Sequence, residues 1–168
     1  MADQGLNATA AALLGLLHEG PKTGGDLVAE AQSRFGSFWT VTRSQVYREL
    51  PELATRGFVK AGKQGVRAAQ PYTVTAAGKR AFTTWLGEPV GREHHRSPLL
   101  LRTAFAGRAT AAQRRALFTA ERGVHEHTLA AMREQQKASP GDRYANATLE
   151  FAITYERALL RWIDATAT

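Results

Sequence analysis

No cysteine occurs in the 168 residues. Neither a disulfide framework nor a thiolate metal site can form, and a reducing cytoplasm is the natural setting. Long apolar runs are missing as well. The longest, Ala8 to Leu17, falls well short of the roughly 20 residues that a membrane helix requires, and no basic segment precedes it. A soluble, cytoplasmic protein is expected. The chain also lacks a phosphate-binding glycine loop, a nucleophile turn, zinc-ligand spacing and an acidic pair with evident partners. Catalysis is therefore not expected, and neither is a cofactor. The adjacent His94 and His95 point apart on any regular element, and His125 and His127 do not share a helix face, so a metal is not expected either.

What is present is an apolar fraction of 43%, enough for one good core or a small domain with an appended helical unit, and a formal net charge of +7. An excess of that sign favours a polyanionic partner. The excess is concentrated. Residues 39–80 hold eight basic side chains (Arg43, Arg48, Arg56, Lys60, Lys63, Arg67, Lys79, Arg80) against Glu49 and Glu52 alone. Residues 1–38 carry two basic and four acidic side chains, and residues 98–168 are mixed, with ten and seven. The mixed part is what solvated helix faces look like.

Leu6, Ala10, Leu13, Leu14 and Leu17 recur at helical spacing, predicting a first helix from Leu6 to His18 that buries one stripe. Gly20-Pro21 ends it. A second helix starts at Thr23 as N-cap and runs to Arg34, with Leu27, Val28, Ala31 and Phe35 inward and Gly36 as its stop. A third starts at Thr42 as N-cap. At about 100° per residue, Val46, Leu50, Leu53 and Ala54 fall on one side, while Ser44, Arg48 and Thr55 fall opposite, flanked by Gln45 and Glu52. Pro51 lies inside this pattern on the outer side; either it kinks the helix or the helix breaks at Leu50. Gly57 caps the helix.

Phe58 to Ala61 and Pro71 to Val74 are β-prone, and the glycine-punctuated, basic segment between them predicts a hairpin with a positive tip. Thr75 caps a fourth helix with Ala81, Phe82, Trp85 and Leu86 inward. A helix with Ser, Gln and Arg on its outer face, set before a basic hairpin, is the arrangement of a winged helix-turn-helix that reads DNA. Arginine suits guanine and glutamine suits adenine in the major groove, and a wing meets phosphate or the minor groove. The alternatives are an ordinary polar surface and a plain loop.

The ordered set of motifs resembles the PadR family of winged-helix transcriptional regulators. It comprises Leu13-Leu14-Gly15-Leu16-Leu17-His18-Glu19-Gly20-Pro21, then Phe35-Gly36-Ser37-Phe38-Trp39, then Val46-Tyr47-Arg48-Glu49-Leu50 with Leu53 and Gly57-Phe58-Val59, then Tyr72-Thr73-Val74-Thr75-Ala76-Ala77-Gly78. Two positions depart from the family pattern: Gly25, where an aromatic residue is common, and Pro51. The resemblance implies a homodimeric regulator, usually a repressor, that sits on a palindromic operator in double-stranded DNA and leaves it when a small molecule binds. Carried over by position, Ser44, Gln45 and Arg48 would face the major groove, Tyr47 would reach a phosphate, and Lys63, Gln64 and Arg67 would belong to the wing. Thr42 would stand at the same edge, and Arg43 would serve either role. A winged helix used for protein or RNA contacts is the alternative.

The expected organisation is a mainly α chain: a winged helix-turn-helix domain over residues 1–86, a linker over 87–97, and a helical dimerisation and sensing region over 98–168. In the last, a short helix from Pro98 to Ala106 precedes long ones from Thr110 to Gln136 and Asp142 to Ala165. Their apolar stripes are too wide for two helices to cover, so a second copy of the chain is expected against Leu149, Ile153, Leu160 and Ile163. The walls of an effector pocket for an apolar or aromatic molecule would come from Phe118, Met132, Tyr144, Phe151, Tyr155 and Trp162. Taken singly, each of these fits core or dimer interface more readily than a pocket wall.

Overall fold

Alanine and leucine in close succession leave the first helix, α1 (Ala8–Leu17), without a polar face. Thr9, Ala10, Ala11, Leu13, Leu14, Leu16 and Leu17 are all buried. The expectation of a single stripe is thus corrected. The helix is enclosed by α2 (Gly24–Phe35), α3 (Arg43–Thr55), α4 (Ala76–Leu86) and strand β3 (Pro71–Val74), and a helix apolar all round is a buried one. In the computed structural model, residues 5–63, 65, 70–91, 96–138 and 142–167 are described. The chain divides into two compact units, Met1–Gly91 and Arg92–Thr168.

In the first unit each helix start is fixed by a side-chain oxygen. Asn7 accepts from the Ala10 N–H, Thr23 from Asp26, Thr42 from Gln45 and Thr75 from Gly78. Each such cap stabilises its helix by about 1 kcal/mol. α3 buries Val46, Leu50 and Leu53 against α1 and α2 and continues through Pro51, which is exposed, so the break at Leu50 does not occur. Its end is a double-bonded Schellman turn: the Phe58 N–H donates to the Leu53 carbonyl at 2.8 Å and the Gly57 N–H to Ala54 at 3.0 Å. Gly57 has φ +71°, which a residue with a Cβ adopts only at a cost.

That turn delivers the chain into β2 (Val59–Ala61), paired antiparallel with β3 through Val59 opposite Val74 and Ala61 opposite Tyr72. The expected two-stranded hairpin has a third strand. β1 (Lys22–Thr23) pairs with the other edge of β3, giving the order β1-β3-β2. Two residues carry no readable alternation, and Thr23 is also the α2 cap, so nothing in its pattern announces a strand. α4 packs Ala81, Phe82 and Trp85 on the core, but Leu86 is exposed, because it is the final residue of the helix and lies beyond the core.

The second unit contains α5 (Pro98–Ala104), a 3-10 turn (Ala106–Arg108), α6 (Ala111–Ala138) and α7 (Arg143–Thr166). α6 and α7 form an antiparallel-type hairpin of long helices with two apolar clusters. Leu129, Met132, Ala152 and Ile153 make one; Leu99, Phe118 and Ile163 make the other. Among the described residues no helix is long and apolar enough to cross a membrane. The architecture is mainly α with a small β wing.

Candidate nucleic-acid interface

The exposed edge of α3 is held by contacts that begin in its own first turn. Thr42 and Gln45 form a reciprocal cap, with the Gln45 N–H donating to Thr42 Oγ1 at 3.3 Å and the Thr42 N–H donating to Gln45 Oε1 at 2.8 Å. The Ser44 hydroxyl lies 3.1 Å from that of Thr42. Thr42, Arg43, Ser44, Tyr47 and Arg48 are exposed, and Gln45 is half-buried. Five of the six residues assigned from the sequence to this helix edge thus reach solvent, with Ser44 and Arg48 opposite Val46.

Tyr47 is 49% exposed. Its ring lies across Gly24, the first residue of α2, where an added Cβ would come within 3.1 Å of the ring. The Arg43 guanidinium lies over the same ring, 5.3 Å from its centroid. A bare glycine therefore lets the tyrosine bridge the start of α2 and the start of α3. Arg48 extends into solvent, with its side chain 72% exposed, and one guanidinium nitrogen lies 3.2 Å from Glu49 Oε1.

Glu49 was not singled out by sequence reasoning, yet it is only 7% exposed. Its other oxygen accepts from Asn7 Nδ2 at 3.0 Å, while Asn7 Oδ1 caps α1. A single carboxylate thus links the first turn of the central helix to the arginine of the exposed edge. The signal for this in the sequence was faint: a glutamate adjacent to the buried Leu50, 42 residues away from its partner.

Beside α3, Lys60 and Lys63 are exposed at the β2 end of the wing. Gln70 Nε2 donates to the Gly62 carbonyl at 3.2 Å, and the Gly62 N–H donates to the Pro71 carbonyl at 2.7 Å, closing the base of the hairpin. Gln64 and Arg67, assigned to the wing tip, lie outside the described residues, as do His94 and His95.

The residues assigned to dimerisation divide differently than their periodicity suggested. Ile153 and Ile163 are buried within the chain's own helical unit, and Leu149 and Leu160 pack beside them. Their apolar surface is already covered by α6. The side of α7 that reaches solvent carries Tyr144, Phe151 and Tyr155. Nor do the six residues assigned to an effector pocket come together. Phe118 and Trp162 meet edge-on at 6.3 Å, Met132 belongs to the other cluster, and Tyr144, Phe151 and Tyr155 are exposed.

Sequence reasoning weighed His125 only as a metal ligand and missed its partner. Its Nδ1 lies 2.7 Å from Glu156 Oε2 across the α6–α7 interface, with Glu121 3.8 Å from its Nε2. Glu156 is 7% exposed and stands between the two apolar clusters.

Residues 13–84 match the transcriptional regulator PadR-like family, and residues 95–168 match the family described as virulence activator alpha C-term. The negative transcriptional regulator PadR of Bacillus subtilis is 36% identical over 78 residues, 45% of this chain and 43% of that protein's length. The crystal structure of Bacillus subtilis PadR in complex with operator DNA has a TM-score of 0.83 at 23% identity, covering 96% of this chain and 98% of the other. The same protein in complex with p-coumaric acid gives 0.78 at 24% identity, covering 96% and 97%. At such identities the structural likeness establishes the fold. The matched segment, residues 13–84, contains α3 and the wing and carries a domain of the PadR-like family of transcriptional regulators, and the part matched to the Bacillus subtilis regulator spans less than half of either chain.

Proposed function

We propose that the chain acts in the cytoplasm as a homodimeric repressor, bound to a palindromic DNA operator and released from it by a small apolar or aromatic molecule. The observation that carries this reading is the shared exposure of Thr42, Arg43, Ser44, Tyr47 and Arg48 along one edge of α3, beside a basic wing base. Arginine supplies the bidentate donor for guanine, and the lysines of the wing supply phosphate contacts that carry no sequence information. One such helix reads only a few base pairs. Two copies about 34–36 Å apart along the duplex are needed for a specific site, which is why a dimer is part of the proposal.

The exposed aromatic side of α7 supports the second copy, since Tyr144 and Phe151 are large apolar groups left in water by the single chain. An aromatic effector is supported by the p-coumaric acid in the Bacillus subtilis PadR structure. The test is selection of bound duplexes from a random pool, followed by competition with RNA and with scrambled DNA and a screen for molecules that release the best duplex. A protein that prefers no duplex over RNA or scrambled DNA would refute operator binding and leave the protein-or-RNA contact module standing.

A further inference from the structure

Gln45 is the residue whose bonding in the free protein constrains what it can read. The atom 2.8 Å from the Thr42 backbone nitrogen must be the amide oxygen, because a backbone N–H only donates. The Thr42 hydroxyl donates to the same oxygen at 3.0 Å. A carbonyl oxygen has two lone pairs, and both are taken. Gln45 Nε2 has no hydrogen-bond partner among the described residues, and the side chain is half-buried, which limits its reorientation. A glutamine that reads adenine needs both ends of its amide, the oxygen for N6–H and the nitrogen for N7. Here one end is committed to the cap.

Resting on the operator-binding reading above, we infer that Gln45 is a donor-only specificity residue. On the strand it faces it selects a base that offers an acceptor in the major groove, guanine through O6 and N7 or thymine through O4, and rejects cytosine, which offers only a donor. Adenine is disfavoured relative to guanine, because its N6–H2 would meet the Gln45 amide nitrogen with no acceptor available. The same amide that starts the recognition helix thereby sets its base preference.

Gln45→Glu tests this directly. One carboxylate oxygen takes over the cap, keeping the helix start intact, and the other replaces the donor with an acceptor. The full chain and this variant are each used to select duplexes from a random pool, with thermal melting as the check on folding. The wild type should enrich guanine or thymine at one position of each half-site. Gln45→Glu should melt close to the wild type and shift that position to cytosine or adenine, changing relative affinity by about 5- to 150-fold, the range of one base contact. Gln45→Ala should melt lower and lose preference at that position. An unchanged preference in Gln45→Glu, or adenine at the affected position in the wild type, overturns the donor-only assignment while leaving operator binding intact. A wild type that enriches no sequence overturns operator binding and this assignment with it.

Discussion

Replacing Gly78 by alanine puts two physical effects in opposition, and the structure decides the sign. In an exposed helix the change would stabilise by about 0.8–1.0 kcal/mol, the difference in helix propensity. At Gly78 a Cβ would overlap the Phe58 carbonyl oxygen, and it would come within 2.9 Å of the carbonyl carbon and 3.0 Å of Val74 Cγ2. The obstacle is backbone at the Schellman turn, so no side-chain rotation relieves it. α4 must move outward, which strains the Thr75 N–H bond to Phe58 O at 2.9 Å and the Thr75 hydroxyl bond to Gly57 O at 2.7 Å. Overpacking costs about 1–3 kcal/mol and each weakened hydrogen bond about 0.5–1.5 kcal/mol. After the propensity gain, a net destabilisation of about 1–5 kcal/mol remains.

For a unit of this size, at about 4–8 °C per kcal/mol, that lowers the melting temperature of the N-terminal unit by about 4–40 °C. Urea denaturation followed by circular dichroism measures the free energy, and scanning calorimetry the melting temperature. Gly123→Ala is the matched control, because Gly123 lies inside α6, is exposed, and has nothing within 4 Å of an added Cβ. It should stabilise by up to about 1 kcal/mol. If Gly78→Ala leaves the melting temperature unchanged or raises it as Gly123→Ala does, the close packing of α4 against Phe58 is refuted.

Arg48→Ala should weaken binding to the preferred operator by about 1–3 kcal/mol and random duplex far less, whereas Lys63→Ala should weaken both alike and lower the salt slope by about one, as read by fluorescence anisotropy across salt concentrations. The Asp26 carboxyl is held below its ordinary range, first by the Thr23 hydroxyl and then by the Thr23 backbone N–H. Its contribution is therefore fully present above the unfolded-state value near 4 and lost as pH falls through the lower folded-state value, so Asp26→Ala should flatten the acid limb of a urea-midpoint profile. Phe151→Glu should leave the helical signal unchanged and shift sedimentation toward monomer, because the side chain is 67% exposed in the single chain. Deletion of residues 142–168 is a poorer test of dimerisation, since it also strips Ile153 and Ile163 from the core of the unit.

Local chemistry was the legible part of the N-terminal unit. Thr23, Thr42 and Thr75 each have the side-chain oxygen that a helix start requires, and the glycine after Arg56 is where left-handed backbone was needed. Such signals act over three or four residues and survive any tertiary arrangement. What depends on distant partners was not legible. Asn7 and Glu49 are 42 residues apart, and nothing in either neighbourhood requires the other. The outer face of α3 could be mapped by angle, but angle does not say which atom of Gln45 is already bonded. Pro51 was misleading for a related reason: the cost of a missing donor was visible, while the packing of Leu50 and Leu53 that holds the helix continuous was not.

In the C-terminal unit, periodicity fails in a more specific way. α7 has two apolar stripes about 145° apart at 100° per residue, one through Leu149, Ile153, Leu160 and Ile163 and one through Tyr144, Phe151 and Tyr155. Both are amphipathic solutions, and the aromatic one is free of charge where the aliphatic one contains Glu156. The aliphatic stripe carries the stronger hydrophobes but also a glutamate, so hydropathy pulls it both ways. The structure turns it inward, and His125 partners the glutamate there, placing a hydrogen-bonding nitrogen 2.7 Å from the carboxylate at the level between the two apolar clusters. A buried carboxylate without a partner costs several kcal/mol, so the stripe containing Glu156 can be the inner one only in a register that delivers His125 to it. The pair therefore lets the aliphatic side of α7 meet α6 without leaving a carboxylate unpartnered, and Tyr144 and Phe151 remain outside.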